Sequence, residues 1–298
     1  MSQDDIDRDT AFSLLGDETR LEIVEALGDA TATPETGIPR LDYVELQSRV
    51  GLRDSGQFNY HLKKLLGTYV AKEQGGYRLR WPGMVLYRTL VAGLFTDEAE
   101  TAVDELPVGQ ACHRCGKELE AERYETLFRV RCGGCRATYT DVFFPSHGID
   151  GRSDRELLRA VHRRSRLVLD SMTAGQCPWC TSAVTAEIVE RDGSLPSEHD
   201  MRDLDAYVVF HCTDCTGFQY VPVAQTLLYH PATIAFYQEV GEDLTAIPAW
   251  ELGWAVTDDR TTITSRDPWA FTVEIPLADE RLVVELNESL AVVDTSRE

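Results

Sequence analysis

The sequence predicts an α+β fold, and three observations carry that prediction. Helix-spaced apolar stripes in the first third of the chain give way to a short alternating hairpin, all eight cysteines fall into Cys-x-x-Cys pairs, and residues 261–293 alternate apolar and polar positions. A chain of 298 residues exceeds one small module, and the regions expected are 1–98, 105–230 and 231–298.

The N-terminal elements follow in order. Phe12 and Leu15 belong to a short first helix. Asp17 caps a second, whose stripe Ile23, Val24 and Leu27 ends at Gly28. After a Thr, Pro and Gly-rich loop over 31–39, Tyr43, Leu46 and Val50 mark a third helix closed by Gly51, and Leu52 and Arg53 fill a tight turn. Asp54 and Gln57 have capping-box spacing, and Phe58, Leu62, Leu65 and Leu66 bury one face of a fourth helix. Its other face is expected to carry Gln57, Asn59, Tyr60, His61, Lys63 and Lys64: amides suited to base edges and cations suited to phosphate. Two alternating segments, 69–72 and 77–80, flank a Glu73-Gln74-Gly75-Gly76 turn and make a wing bearing Lys72, Arg78 and Arg80. The order of elements is that of a winged helix-turn-helix.

Charge singles out the same stretch. Fifty acids against 29 bases give −21, and the only lysines are Lys63, Lys64, Lys72 and Lys117. Acids spread along the whole chain read as a solvated surface, tolerable in molar salt where the Debye length is about 3 Å, so a salt-loving organism is expected. Residues 41–90 are nevertheless locally +4, which leaves −25 for the remainder. Positive charge kept in one segment of an acidic chain is what contact with double-stranded DNA requires, with Arg53, Ser55, Gln57, Asn59, Tyr60, Lys63, Lys64, Lys72, Arg78 and Arg80 as the candidate contacts.

Residues 14–21, Leu-Leu-Gly-Asp-Glu-Thr-Arg-Leu, and 55–65, Ser-Gly-Gln-Phe-Asn-Tyr-His-Leu-Lys-Lys-Leu, resemble ArsR-type winged-helix regulators of haloarchaea. The resemblance covers about the first third of the chain. It implies a transcriptional regulator acting as a homodimer on a roughly palindromic site, joined through the first helix and the one after the wing. Pro82-Gly83 opens that later helix, with Met84, Leu86, Tyr87, Leu90, Val91, Leu94 and Phe95 as apolar surface. The chain departs from the metal sensors of that type in having no cysteine before Cys112, so their sensing does not carry over.

The cysteine pairs are Cys112/Cys115, Cys132/Cys135, Cys177/Cys180 and Cys212/Cys215. Two such knuckles complete the four-sulfur tetrahedron favoured by structural zinc, so two Zn²⁺ per chain are expected in two zinc-ribbon-like modules. Sequential pairing is favoured over a cross-brace, since strands at 124–130 and 137–143, and at 183–189 and 206–210, fit inside the modules. His113 and His211 are read as neighbours of the metal or solvent-facing residues, and Trp179 as packing against its ribbon.

A helix over 153–171 exposes Arg155, Arg159, Arg163, Arg164 and Arg166, read chiefly as a solvated face, with a second nucleic-acid contact as the sharper option. His230-Pro231 starts a short helix, and four strands form a small antiparallel β-meander. Trp250, Trp254 and Trp269 are read as core aromatics, with an effector pocket as the other option; the effector itself is unknown. The start of the chain lacks a secretory pattern, and the uncharged run 218–238 contains Pro222, Gln225, His230 and Pro231, so a cytoplasmic protein with no membrane partner is expected. No metalloprotease signature or phosphate-binding glycine loop is present, and catalysis is not expected. The competing functions are a zinc-ribbon interaction protein docking on RNA or transcription machinery, and a redox- or metal-responsive regulator.

Overall fold

A computed structural model describes residues 7–30, 40–73, 75–95, 105–124, 126–190 and 204–298; the loop read over 31–39 and the Gln74 turn position lie outside the described residues. The chain divides into two compact units, Met1–Thr96 and Asp97–Glu298.

The first unit contains α1 (Arg8–Ser13), α2 (Glu18–Gly28), α3 (Tyr43–Val50), α4 (Ser55–Leu65), the strands β1 (Val70–Glu73) and β2 (Gly76–Leu79), and α5 (Trp81–Val91). Aspartate starts three of the helices: Asp17, Asp42 and Asp54 accept backbone N–H bonds at the first turns of α2, α3 and α4, satisfying donors that have no partner inside the helix. Gly51 ends α3 at φ 74°, a conformation glycine adopts without steric cost. Between the helices, Tyr43 donates its hydroxyl to the Ser55 carbonyl and Gln47 donates to the Leu52 carbonyl, bracing the turn. Ile23, Val24, Leu46, Phe58, Leu62, Leu65 and Val70 form the core. β1 and β2 pair antiparallel, with Lys72 opposite Tyr77. Gly28 does more than stop α2: a Cβ there would stand 2.2 Å from the ring of Tyr87 on α5, so only glycine lets these helices approach so closely.

The second unit is built on three antiparallel sheets. The first takes β3 (Leu106–Ala111), β4 (Glu118–Tyr124), β5 (Leu127–Cys132) and β6 (Thr138–Phe143) in chain order. The second is β7 (Val184–Glu190), β8 (Ala206–Cys212) and β9 (Phe218–Pro222), and the third is the meander β10 (Thr261–Arg266), β11 (Trp269–Leu277), β12 (Glu280–Leu286) and β13 (Val292–Arg297). Between them run α6 (Asp154–Thr173), α7 (Pro231–Glu239) and the short α8 (Gly253–Val256). The architecture is thus mixed α+β with antiparallel sheets, as the sequence predicts.

Two expectations change, and the reading of the tryptophans as core aromatics holds for Trp250 and Trp254. The division near residue 230 is not a break in packing, because one core runs through Phe128, Val208, Phe236, Trp250 and Leu286. β3 and β4 were not foreseen: Pro107 and Gly109 interrupt the alternation of β3, whose register shifts between Pro107 and Ala111, and β4 is charged at four of its seven positions, burying Arg123 along with Leu119 and Ala121. Trp250 and Trp254 are core residues, Trp254 donating its indole N–H to the Tyr237 hydroxyl, and Trp269 stacks on Phe271. Among the described residues no helix is long and apolar enough to cross a membrane.

Candidate metal centres and nucleic-acid face

The eight cysteines gather in sequence order into two groups, Cys112, Cys115, Cys132 and Cys135, and Cys177, Cys180, Cys212 and Cys215, with the sulfurs of each group within 4.8 Å of one another. Sheet register brings them together: the Cys112 and Cys132 knuckles lie at the ends of hairpins in the first sheet, and the Cys177 and Cys212 knuckles close the second. The nearest sulfurs, Cys112 to Cys135 and Cys115 to Cys132, are 3.6 and 3.4 Å apart, and Cys177 to Cys215 and Cys180 to Cys212 repeat those distances. Four sulfurs around one tetrahedral zinc at 2.3 Å stand about 3.8 Å apart, so each group has the dimensions of such a shell. Amides of Gly134 and Cys135 point at Cys132 Sγ, and those of Asp214 and Cys215 at Cys212 Sγ, the donor arrangement that stabilises thiolate. Each group could hold a metal ion, and two zinc ions per chain are compatible with them.

The electrostatics favour thiolate at Cys112 and Cys115 in the first group and at Cys180 in the second. Burial opposes ionisation of Cys112, but hydrogen bonds from Tyr139 and from the Cys115 and Arg114 amides bring it down to about 6. Cys180 reaches about 6 through the amide and hydroxyl of Ser182 and through Cys212. Tyr139 O–H lies 3.2 Å from Cys112 Sγ and accepts the His113 N–H at 3.0 Å. The His113 ring turns away from the sulfurs, and its Nε2–H donates to the Trp250 carbonyl at 2.9 Å, linking the first knuckle to the core. A Cβ at Gly253 would meet that ring at 2.9 Å. His211 is exposed. A cavity of about 560 Å³ lies beside the two centres, lined by Arg114, Trp179, Cys215, Phe218 and Tyr220 among others.

In the first unit, α4 turns Phe58, Leu62 and Leu65 into the core and leaves Gln57, Tyr60, Lys63 and Lys64 exposed, with Asn59 half-buried. The Lys64 ammonium lies 5.6 Å over the Tyr60 ring. His61, expected on this face, is buried, and its Nδ1 sits 3.1 Å from Asp17 Oδ1. Arg53 is exposed, and Ser55 shares hydrogen bonds with Gln47. On the hairpin, Lys72 is exposed with its ammonium 5.4 Å over Tyr77. Arg78 is held by both carboxylate oxygens of Glu73 at 2.6 and 2.9 Å, which lowers the Glu73 pKa. Arg80 occupies the N-cap position of α5 and is half-buried.

A family profile described as Domain of unknown function (DUF7351) matches residues 109–292, more than half of the chain. The chain belongs to the DUF7351 family. The DUF7351 region lies within the second unit and contains both cysteine groups, and a second profile, Domain of unknown function (DUF7347), matches residues 8–90 within the first. No curated protein and no solved structure matches this DUF7351 chain.

Proposed function

We propose that the chain is a sequence-specific DNA-binding transcriptional regulator. Its first unit acts as a winged helix-turn-helix of the ArsR type, with α4 in the major groove and the β1–β2 hairpin as the wing. The observation that carries this reading is the division of α4. Its apolar residues are spent on the core, and the exposed side offers an amide, a phenol and two ammonium groups in an otherwise acidic chain. Arg53 and Lys72 flank that helix as phosphate contacts, with Asn59 reading beside Gln57. Arg78, committed to Glu73, serves the wing's shape more than the phosphates.

The chain acts as a homodimer in this reading. Phe12 of α1, Trp81, Val85 and Val91 of α5, and Phe95 beyond it expose apolar surface, Phe95 and Phe12 at 74% and 68%. Two zinc ions act structurally in the second unit, because four thiolates leave no open position for catalysis. Selection of duplexes from a random library by the full chain tests the proposal. A recurrent, roughly palindromic motif is the expected product, and a pool without enrichment would reject it.

A further inference from the structure

The acidic chain holds a second positive stretch, on and just ahead of α6. Residues 152–166 contain six arginines against Asp154 and Glu156, a local +4, inside a unit whose 36 acids and 18 bases give −18. One third of that unit's cations therefore fall in fifteen residues. Helical spacing sorts them. Leu157, Val161, Val168 and Met172 are buried, and two arginines serve the fold: Arg164 reaches the Phe143 carbonyl, and Arg166 lies 5.0 Å over the Tyr229 ring.

The other four face outward. Arg155, Arg159 and Arg163 recur every four residues on the exposed side, with Arg152 just ahead, and none of the four makes an ion pair among the described residues. Glu156 is committed first to the capping box, its Oε2 accepting the Ser153 N–H at 2.9 Å and hydroxyl at 2.6 Å, bonds that hold its carboxyl below the usual range with a smaller contribution from Arg152 and Arg159. Arg155 to Arg163 spans about 12 Å of helix, and each DNA strand presents one phosphate per about 3.4 Å of duplex axis.

We propose that this arginine stripe is a second DNA-contacting surface, gripping backbone phosphates without reading bases. It rests on the reading of α4 as a DNA-binding helix, and it assigns part of the chain's affinity to the second unit. The exposed guanidiniums supply the forked donors that suit phosphate, and unlike α4 the stripe exposes no Asn or Gln to discriminate bases.

The test uses the full chain, a fluorescent duplex carrying the selected site, and a scrambled duplex of equal length, titrated by anisotropy across a salt series. The combined Arg155→Gln, Arg159→Gln and Arg163→Gln variant is compared with Arg260→Gln and Arg266→Gln in the C-terminal sheet. The triple variant is expected to weaken both duplexes alike, by about tenfold or more near 0.1 M salt, and to flatten the log–log salt slope by about 2 to 3. Its specificity ratio and melting temperature stay unchanged. Unchanged affinity and slope would overturn the inference, as would equal losses in the control pair or loss of the specificity ratio. The Gln57→Ala, Asn59→Ala pair separates the two readings: if it abolishes specificity while the triple variant does nothing, only the stripe falls. A native chain that binds neither duplex overturns both.

Discussion

His61 Nδ1 stands 3.1 Å from Asp17 Oδ1, the same oxygen that accepts the Arg20 N–H at the start of α2. One carboxylate therefore caps α2 and lies at ion-pair distance from α4, where His61 Nδ1 makes no hydrogen bond, so a protonated ring would tie the buried side of α4 to the start of α2. A double-mutant cycle with Asp17→Ala and His61→Gln, read by chemical unfolding of the first unit, is expected to give a coupling of about 0.5 to 1 kcal/mol. Asp17→Asn, which still caps, should recover most of the roughly 1 kcal/mol that Asp17→Ala loses. Zero coupling, or an Asn variant no better than Ala, would contradict this arrangement.

Much of the first unit was legible because aspartate caps and apolar stripes are local signals: Asp17, Asp54, Phe58 and Leu62 do what their spacing implies. His61 was not. At 100° per residue it lies within 60° of Phe58 on the helical wheel, inside the buried arc, but a polar identity suggested the outside. Gly28 read as a stop signal because a partner ring 59 residues away is invisible to local pattern. The sequential grouping of cysteines followed from room for strands between knuckles, whereas the His113 link to Trp250 spans 137 residues and no spacing rule reaches it. The second basic stretch was present in the sequence as a charge count; amphipathic spacing made it look like an ordinary solvated face.

Metal content tests the cysteine centres. The purified chain is expected to carry two zinc ions, falling to one on Cys112→Ser or on Cys177→Ser, since each ion needs its own four sulfurs. Chelation should collapse the second unit while the first keeps its helical signal. His113→Ala should leave the metal content at two and lower the melting temperature of the second unit, because it cuts the Trp250 link and no metal bond. A chain that binds one ion, or none, would contradict the assignment.

Acid sensitivity should come partly from His162. The ring is buried, with Nε2–H donating to the Thr245 carbonyl at 3.0 Å and its edge against Trp250. Burial lowers its pKa, the Thr245 bond opposes that shift, and Arg166 and Arg163 add to the lowering. The folded state therefore binds fewer protons than the unfolded one below the ordinary value of about 6.5, and the stabilisation present above that pH is lost as the pH falls toward the folded pKa. With zinc in excess, the stability difference between the native chain and His162→Gln should shrink between about pH 7.5 and 5.5. A difference independent of pH would contradict a neutral, buried imidazole.

The account stands most directly on base reading by α4. Genome-wide occupancy of the native chain is compared with that of the Gln57→Ala, Asn59→Ala pair, both exchanged on a helix whose core residues are untouched. The prediction is a set of discrete sites sharing one motif, lost in the double variant while the protein remains folded and abundant. Occupancy that is unchanged in the variant would contradict it.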